Sequence, residues 1–316
     1  MAEPVSPTRG RLVVAFIGLL LTSLIWGSAV PVNVVVLREL DPFIVTTARM
    51  GISLFVLGGL ALWRERVGLF PPGLTGLRFA LLGLYMAGFN VLYVLGVKWS
   101  NPITVSAITV TMPLVGSATA RLLLGTPLGR GFGLAVLLSM VGGVLVVHGQ
   151  PGFDPARLGL QGGEILMLLA MVCWNVYSVK AQTWLAGVGQ LRLTYISSVS
   201  TALWLVAICA LMLALGVAHW PQQTPSVGAV SLIAYLALFS AAIGNFLWNS
   251  GVSVVGVPVA SLYVNLSAVF TVLMVMALGI YPSLEQILGG LVVLAGVVYV
   301  QVIKLRAAQN RPVSAA

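Results

Sequence analysis

Trp26, Trp174 and Trp248, with Asn33, Asn90, Asn175, Asn245 and Asn265, interrupt stretches of this chain that are otherwise aliphatic. An amide offers donors and acceptors, and an indole or phenol offers a flat face with a polar edge. Lipid rewards none of these groups, so on one side of a helix they either line a site or bond a neighbouring helix. Steps of three and four put Trp26, Ala29 and Asn33 on one face, with Pro31 between them, and Met86, Asn90 and Tyr93 on another. Gly244, Asn245, Trp248 and Asn249 repeat the pattern, Trp174, Asn175, Tyr177 and Ser178 cluster, and Tyr263, Asn265 and Ser267 follow later. The candidate substrate-binding set is Trp26, Asn33, Asn90, Tyr93, Trp174, Asn175, Asn245, Trp248, Tyr263 and Asn265. Such a set suits a neutral, zwitterionic or amphipathic small molecule held by amides, aromatic faces and exposed backbone dipoles. For any one residue the competing reading is interhelical glue, worth about 0.6 to 2 kcal/mol in model systems. Thr104, Ser106, Thr109 and Thr111, ahead of Pro113, can bond their own helix and are left out of the set.

What positions these residues follows from the composition. Of 316 residues 59% are hydrophobic and 7% charged, with a mean hydropathy of +1.06. A soluble domain carries about 25% charged residues. The chain reads as an integral membrane protein with no room for a soluble domain, which sets aside nucleic-acid binding and nucleotide chemistry. Apolar segments fall at about 12–37, 42–63, 74–97, 101–120, 128–148, 160–183, 193–216, 227–250, 257–279 and 284–303. The first is too long for the apolar core of a signal peptide and reads as a retained span.

The net charge of +9 is unevenly spread. With a cytoplasmic N-terminus, the inner ends hold Arg9, Arg11, Arg64, Arg66, Arg78, Arg121, Arg130, Arg192, Lys304, Arg306 and Arg311. The outer ends hold only Arg38, Lys98 and Arg157, and also Glu39, Asp41, Asp154 and Glu285. The positive-inside rule therefore puts both termini inside. Arg49 and Lys180 are the basic residues well within segments. Arg49 is expected to pair with Glu39 or Asp41 or to cap carbonyls, and Lys180 to snorkel. Phosphorylated cargo would need several cationic donors, yet no charged residue lies between Leu193 and Leu284. A missing mid-span carboxylate speaks against proton coupling. His148 and His219 stand apart, Cys173 and Cys209 read as small hydrophobes, and neither a metal nor a cofactor is expected.

The chain also matches itself. Trp26 falls on Trp174 and Thr46 on Thr194; further on, Asn90 falls on Asn245, Tyr93 on Trp248, and Pro102 near Pro258. The halves are residues 12–150 and 158–306, with short tails at 1–11 and 307–316. Five spans per half is an odd number, so the second half enters from the opposite side, the inverted construction of many secondary transporters. The expected fold is all-α: ten transmembrane helices as two inverted five-helix repeats around a central cavity, with cytoplasmic termini. Glycines 129, 131, 133, 142 and 143 in the fifth segment and 289, 290 and 296 in the tenth should brace the periphery or meet a second copy in a homodimer.

Ile25 to Ser28, Arg49, the stretch Leu92 to Pro113 (LYVLGVKWSNPITVSAITVTMP) and the glycines closing each half resemble the tandem domains of the drug/metabolite transporter superfamily, EamA type. That resemblance covers about residues 12–303. It implies a cavity among spans one, three, four, six, eight and nine, in a bacterial inner-membrane exporter of amino acids and related metabolites. Within the family, the aromatic face Trp26, Tyr93, Trp174, Tyr177, Trp248 and Tyr263 is most similar to aromatic amino acid exporters. The acidic residue often following the fourth and ninth spans is absent from Gly125–Thr126–Pro127 and displaced to Glu285 in the second half. The expectation is a secondary transporter, not an enzyme, working on a small-molecule substrate by alternating access. Export of drug-like cations is the alternative; a lipid-modifying enzyme would need a nucleophile or metal cluster that no segment offers.

Overall fold

The computed structural model describes residues 8–65, 70–71, 73–100, 108–125, 131–150, 152–154, 162–277, 279 and 281–309. Thr104, Ser106, Pro102, Thr126, Pro127, Gly129, Arg66, Arg130, Arg157 and Arg311, invoked above, lie outside the described residues. Within them the chain forms α1 (Arg9–Val36), α2 (Pro42–Glu65), α3 (Gly76–Lys98), α4 (Met112–Leu124) and α5 (Phe132–His148). After these come α6 (Gly163–Trp184), α7 (Gln190–Ala214), α8 (Val227–Val255), α9 (Val257–Ala277) and α10 (Leu284–Gln309).

Eight of these helices are long and apolar enough to cross a membrane, while α4 and α5 are shorter. Local sequence sets their ends. Thr8, Thr75 and Ser226 accept backbone N–H groups of the first turns of α1, α3 and α8. Ahead of α4 the backbone turns tightly, with Thr111 N bonded to Ile108 O and Leu114 N to Thr111 O. Pro113 falls in the first turn of α4, where its missing N–H is not needed. Gly256, at φ 81°, makes the one-residue corner between α8 and α9, a conformation side chains disfavour. Inside α8, Leu236–Gly244 winds as a π-helix, a form that recurs at functional sites.

Helix α1 lies against α8 and α9, and α6 lies against α3 and α4. Helix α2 packs on α7 and α8, α7 also on α3, and α5 on α10. Close crossings use small residues. A Cβ on Gly27 would fall 2.6 Å from Ser267 O, and the Thr271 hydroxyl donates to Gly27 O at 2.9 Å. Gly142 and Gly289 face one another, each leaving room for the other's carbonyl oxygen 2.5 Å from where its own Cβ would be. Gly131, Gly142, Gly289 and Gly296 thus bring α5 close to α10, whereas Gly133 is open, Gly143 meets Val110 and Gly290 meets Val269 of α9. One buried core, including Leu19, Leu82, Trp174, Leu193, Trp248 and Val293, runs through the bundle.

Candidate functional site

Three indoles from three helices meet near mid-span. The rings of Trp26 (α1) and Trp174 (α6) lie 5.3 Å apart edge to face, Trp26 and Trp248 (α8) 5.5 Å, and Trp174 and Trp248 5.3 Å. Phe89 of α3 joins them 4.9 Å from Trp174 and leads to Tyr93 at 5.8 Å. Such pairs contribute about 0.5–1.5 kcal/mol each beyond their buried area. The expected central cavity is filled at this level, because Trp174 and Trp248 are 3% and 1% exposed. Trp248 Nε1 donates to Ser178 Oγ at 3.0 Å and Trp26 Nε1 to Ser240 O at 3.4 Å. Trp174 Nε1 is buried without an acceptor.

A guanidinium reaches α3 at the residue after Phe89. Arg49 Nη2 donates to Asn90 Oδ1 at 2.8 Å, and the Asn90 amide in turn donates to Met86 O. Arg49 therefore meets neither Glu39 nor Asp41, as was expected of it: Glu39 is taken by Ser226, and Asp41 by the backbone of Phe43 and His219. Those acids lie in the turn before α2, while Arg49 is two turns into it. A cavity of ≈ 10 Å³, room for about one water, borders Asn90 and is lined by Thr46, Thr47, Val94 and Leu205 among others. Tyr93, 39% exposed, opens toward solvent or lipid.

The remaining candidates take other places. Asn175 is fully buried at the α4–α6–α9 crossing, bonded to Met171 O and Met112 Sδ and accepting from Ser261. Asn265 donates to Val110 O, in the turn ahead of α4, and to Ser139 of α5. Tyr263 stacks on Phe16 and meets Gln301 of α10. The Asn33 amide turns back on Ala29 O. None of these four bonds to a member of the indole cluster among the described residues. Asn245, buried in α8, makes no side-chain hydrogen bond among them.

Toward the other ends of α6, α7 and α8 the bundle is tied by uncharged groups. Asn249 donates to Tyr177 OH and Thr194 Oγ1, Tyr177 meets Ser197, and Gln182 bonds both Gln190 and Asn249 O. Sequence reasoning missed Phe89, Ser240 and the Gln182–Gln190 pair. Phe89 reads as one more hydrophobe, and Ser240 contributes only its carbonyl.

Polar and aromatic groups are drawn together inside helices long and apolar enough to cross a membrane, the arrangement of a multi-pass membrane protein. The chain belongs to the EamA-like transporter family, whose model matches it twice, over residues 13–148 and 161–301. Similar proteins are transporters rather than enzymes. The uncharacterized transporter YyaM of Bacillus subtilis (strain 168) is 25% identical over 79% of this chain and 81% of its own. YrdR of the same organism, described in the same words, is 24% identical over 92% of each chain. An uncharacterized transporter of Archaeoglobus fulgidus is 26% identical over 88% of this chain and 94% of its own. A solved structure titled "Crystal structure of protein" superposes with a TM-score of 0.76 at 19% identity, over 93% of this chain and 98% of that one. That likeness concerns the fold.

Proposed function

We propose that this transporter exports aromatic or broadly neutral amino acids, and related small metabolites, across the bacterial inner membrane by alternating access. The observation that carries the reading is the meeting of Trp26, Trp174 and Trp248 from three helices, with Arg49 bonded to Asn90, the residue after Phe89 on α3. Once a conformational change parts the packed indoles, their faces offer stacking surfaces for a flat apolar side chain, and the orphaned Trp174 N–H is a donor awaiting an acceptor. The pairing of helices supports two inverted halves: α1 with α9 mirrors α6 with α4, α1 with α8 mirrors α6 with α3, and α5 meets its counterpart α10. The ties among Asn249, Tyr177, Thr194, Gln182 and Gln190 suit one closed gate of such a cycle, at the end that the charge pattern places inside. With the α5 and α10 glycines engaged within the molecule, a homodimer would use another face.

Purified protein in liposomes loaded with labelled phenylalanine or tryptophan should release label faster than empty liposomes do. Equal rates would sink the substrate assignment, and strict dependence on a pH gradient would sink uncoupled transport. Drug-cation export is the second reading, since indole faces attract cations. The Arg49 guanidinium on α2 opposes it, and protection of cells against lipophilic cations but not amino acid analogues would favour it.

A further inference from the structure

We propose that Arg49 is the specificity residue of this site: it holds a carboxylate of the cargo, so the transporter selects carboxylates over their neutral or amine counterparts. The inference deepens the amino acid reading and rests on it for the flat side chain, though not for the carboxylate itself.

Arg49 lies two turns inside α2, where insertion of a charge costs about 2.5–3.5 kcal/mol. Such a charge is normally paired. Among the described residues Arg49 forms no ion pair, and its one hydrogen bond goes to the neutral Asn90 oxygen. A guanidinium carries five N–H donors in a planar fork, and Nε is buried with no acceptor at all. The acids nearest in sequence are engaged elsewhere, Glu39 with Ser226 and Asp41 with Phe43 and His219. Asn90 fixes one edge of the fork and leaves the rest open, which suits a bidentate planar acceptor.

Placement fits the same chemistry. Asn90 is followed on α3 by Tyr93 and preceded by Phe89, whose ring touches Trp174. A carboxylate on Arg49 would sit at the same turn of α3 as Phe89, the ring that meets Trp174, so that the cargo's side chain would reach round α3 toward the indoles. One guanidinium matches a single negative charge. A phosphate monoester, with its higher charge, would need more donors than the described residues place here.

The test uses full-length protein in detergent and liposomes with matched ligand pairs: phenylalanine against phenylalaninamide and phenethylamine, and leucine against leucinamide. In the wild type the carboxylates should raise the melting temperature and be carried, and the amides and the amine should not. Arg49→Gln should weaken carboxylate binding about ten- to a hundred-fold, and Arg49→Lys less. Asn90→Asp guards against misfolding of the Arg49 variants, because it hands the guanidinium an internal carboxylate. It should raise the melting temperature of the empty protein while abolishing the carboxylate response. Wild-type affinity for carboxylates in Asn90→Asp, or equal response to acid and amide in the wild type, overturns the proposal. A response to leucine but not phenylalanine would sink the aromatic reading and leave Arg49's role intact. No response to any carboxylate would sink both.

Discussion

Gly244 has no side chain where the indole of Trp26 passes: a Cβ there would fall 2.7 Å from Trp26 Nε1. Gly244→Ala should push that ring off Ser240 O and loosen its contacts with Trp174 and Trp248. The expected cost is about 1–3 kcal/mol, as for other overpacked cores, seen as a lower melting temperature together with slower flux. Reversal by Trp26→Phe in the same chain would identify the ring as the cause. At this scale the indoles were legible because tryptophan is conspicuous among aliphatics and because the repeat lays Trp26 over Trp174. Asn265 was misleading for a physical reason. A residue that satisfies a carbonyl released by a helix break carries the same type and spacing as one that meets a ligand, and only Val110 O and Ser139 reveal which it is. Arg49 was visible, but its partner was not, because Asn90 lies on another helix and is uncharged.

Between elements, α5 and α10 make a close reciprocal contact where Gly142 and Gly289 meet backbone to backbone. Gly142→Leu should force the helices apart. Destabilisation should reach at least about 1–3 kcal/mol, read as a drop in melting temperature, whereas Gly133→Leu, at an open position on the same helix, should leave it nearly unchanged. Helix positions could be read from apolar runs and their charged or proline breaks, since a span needs length and little else. The break before α4 was hinted at by Pro113, whereas the π-helical stretch of α8 was not legible. Leu236–Gly244 is apolar and small like its surroundings, and it packs against α1 and α2.

Across the whole molecule, the two ends of the bundle are tied by different chemistry. At one end Glu39 accepts from the backbone N–H and the hydroxyl of Ser226, both at 2.8 Å, joining the α1–α2 turn to the start of α8. These bonds, the backbone one first, hold the Glu39 carboxyl below the usual carboxylate range. A lowered value in the folded state means that the tie is fully present above the unfolded glutamate value, about pH 4.3, and is lost as pH falls through the folded one. The melting-temperature difference between wild type and Glu39→Gln should therefore shrink as pH is lowered from about 4.3, and a constant difference would contradict the assignment. At the opposite end Gln182, Gln190, Asn249 and Thr194 have nothing to protonate in that range. Acid in contact with the protein would consequently loosen the Glu39–Ser226 tie and leave the bonds among Gln182, Gln190, Asn249 and Thr194 as they are, so the two ends of the bundle answer protons differently although, among the described residues, no carboxylate bonds to the three indoles.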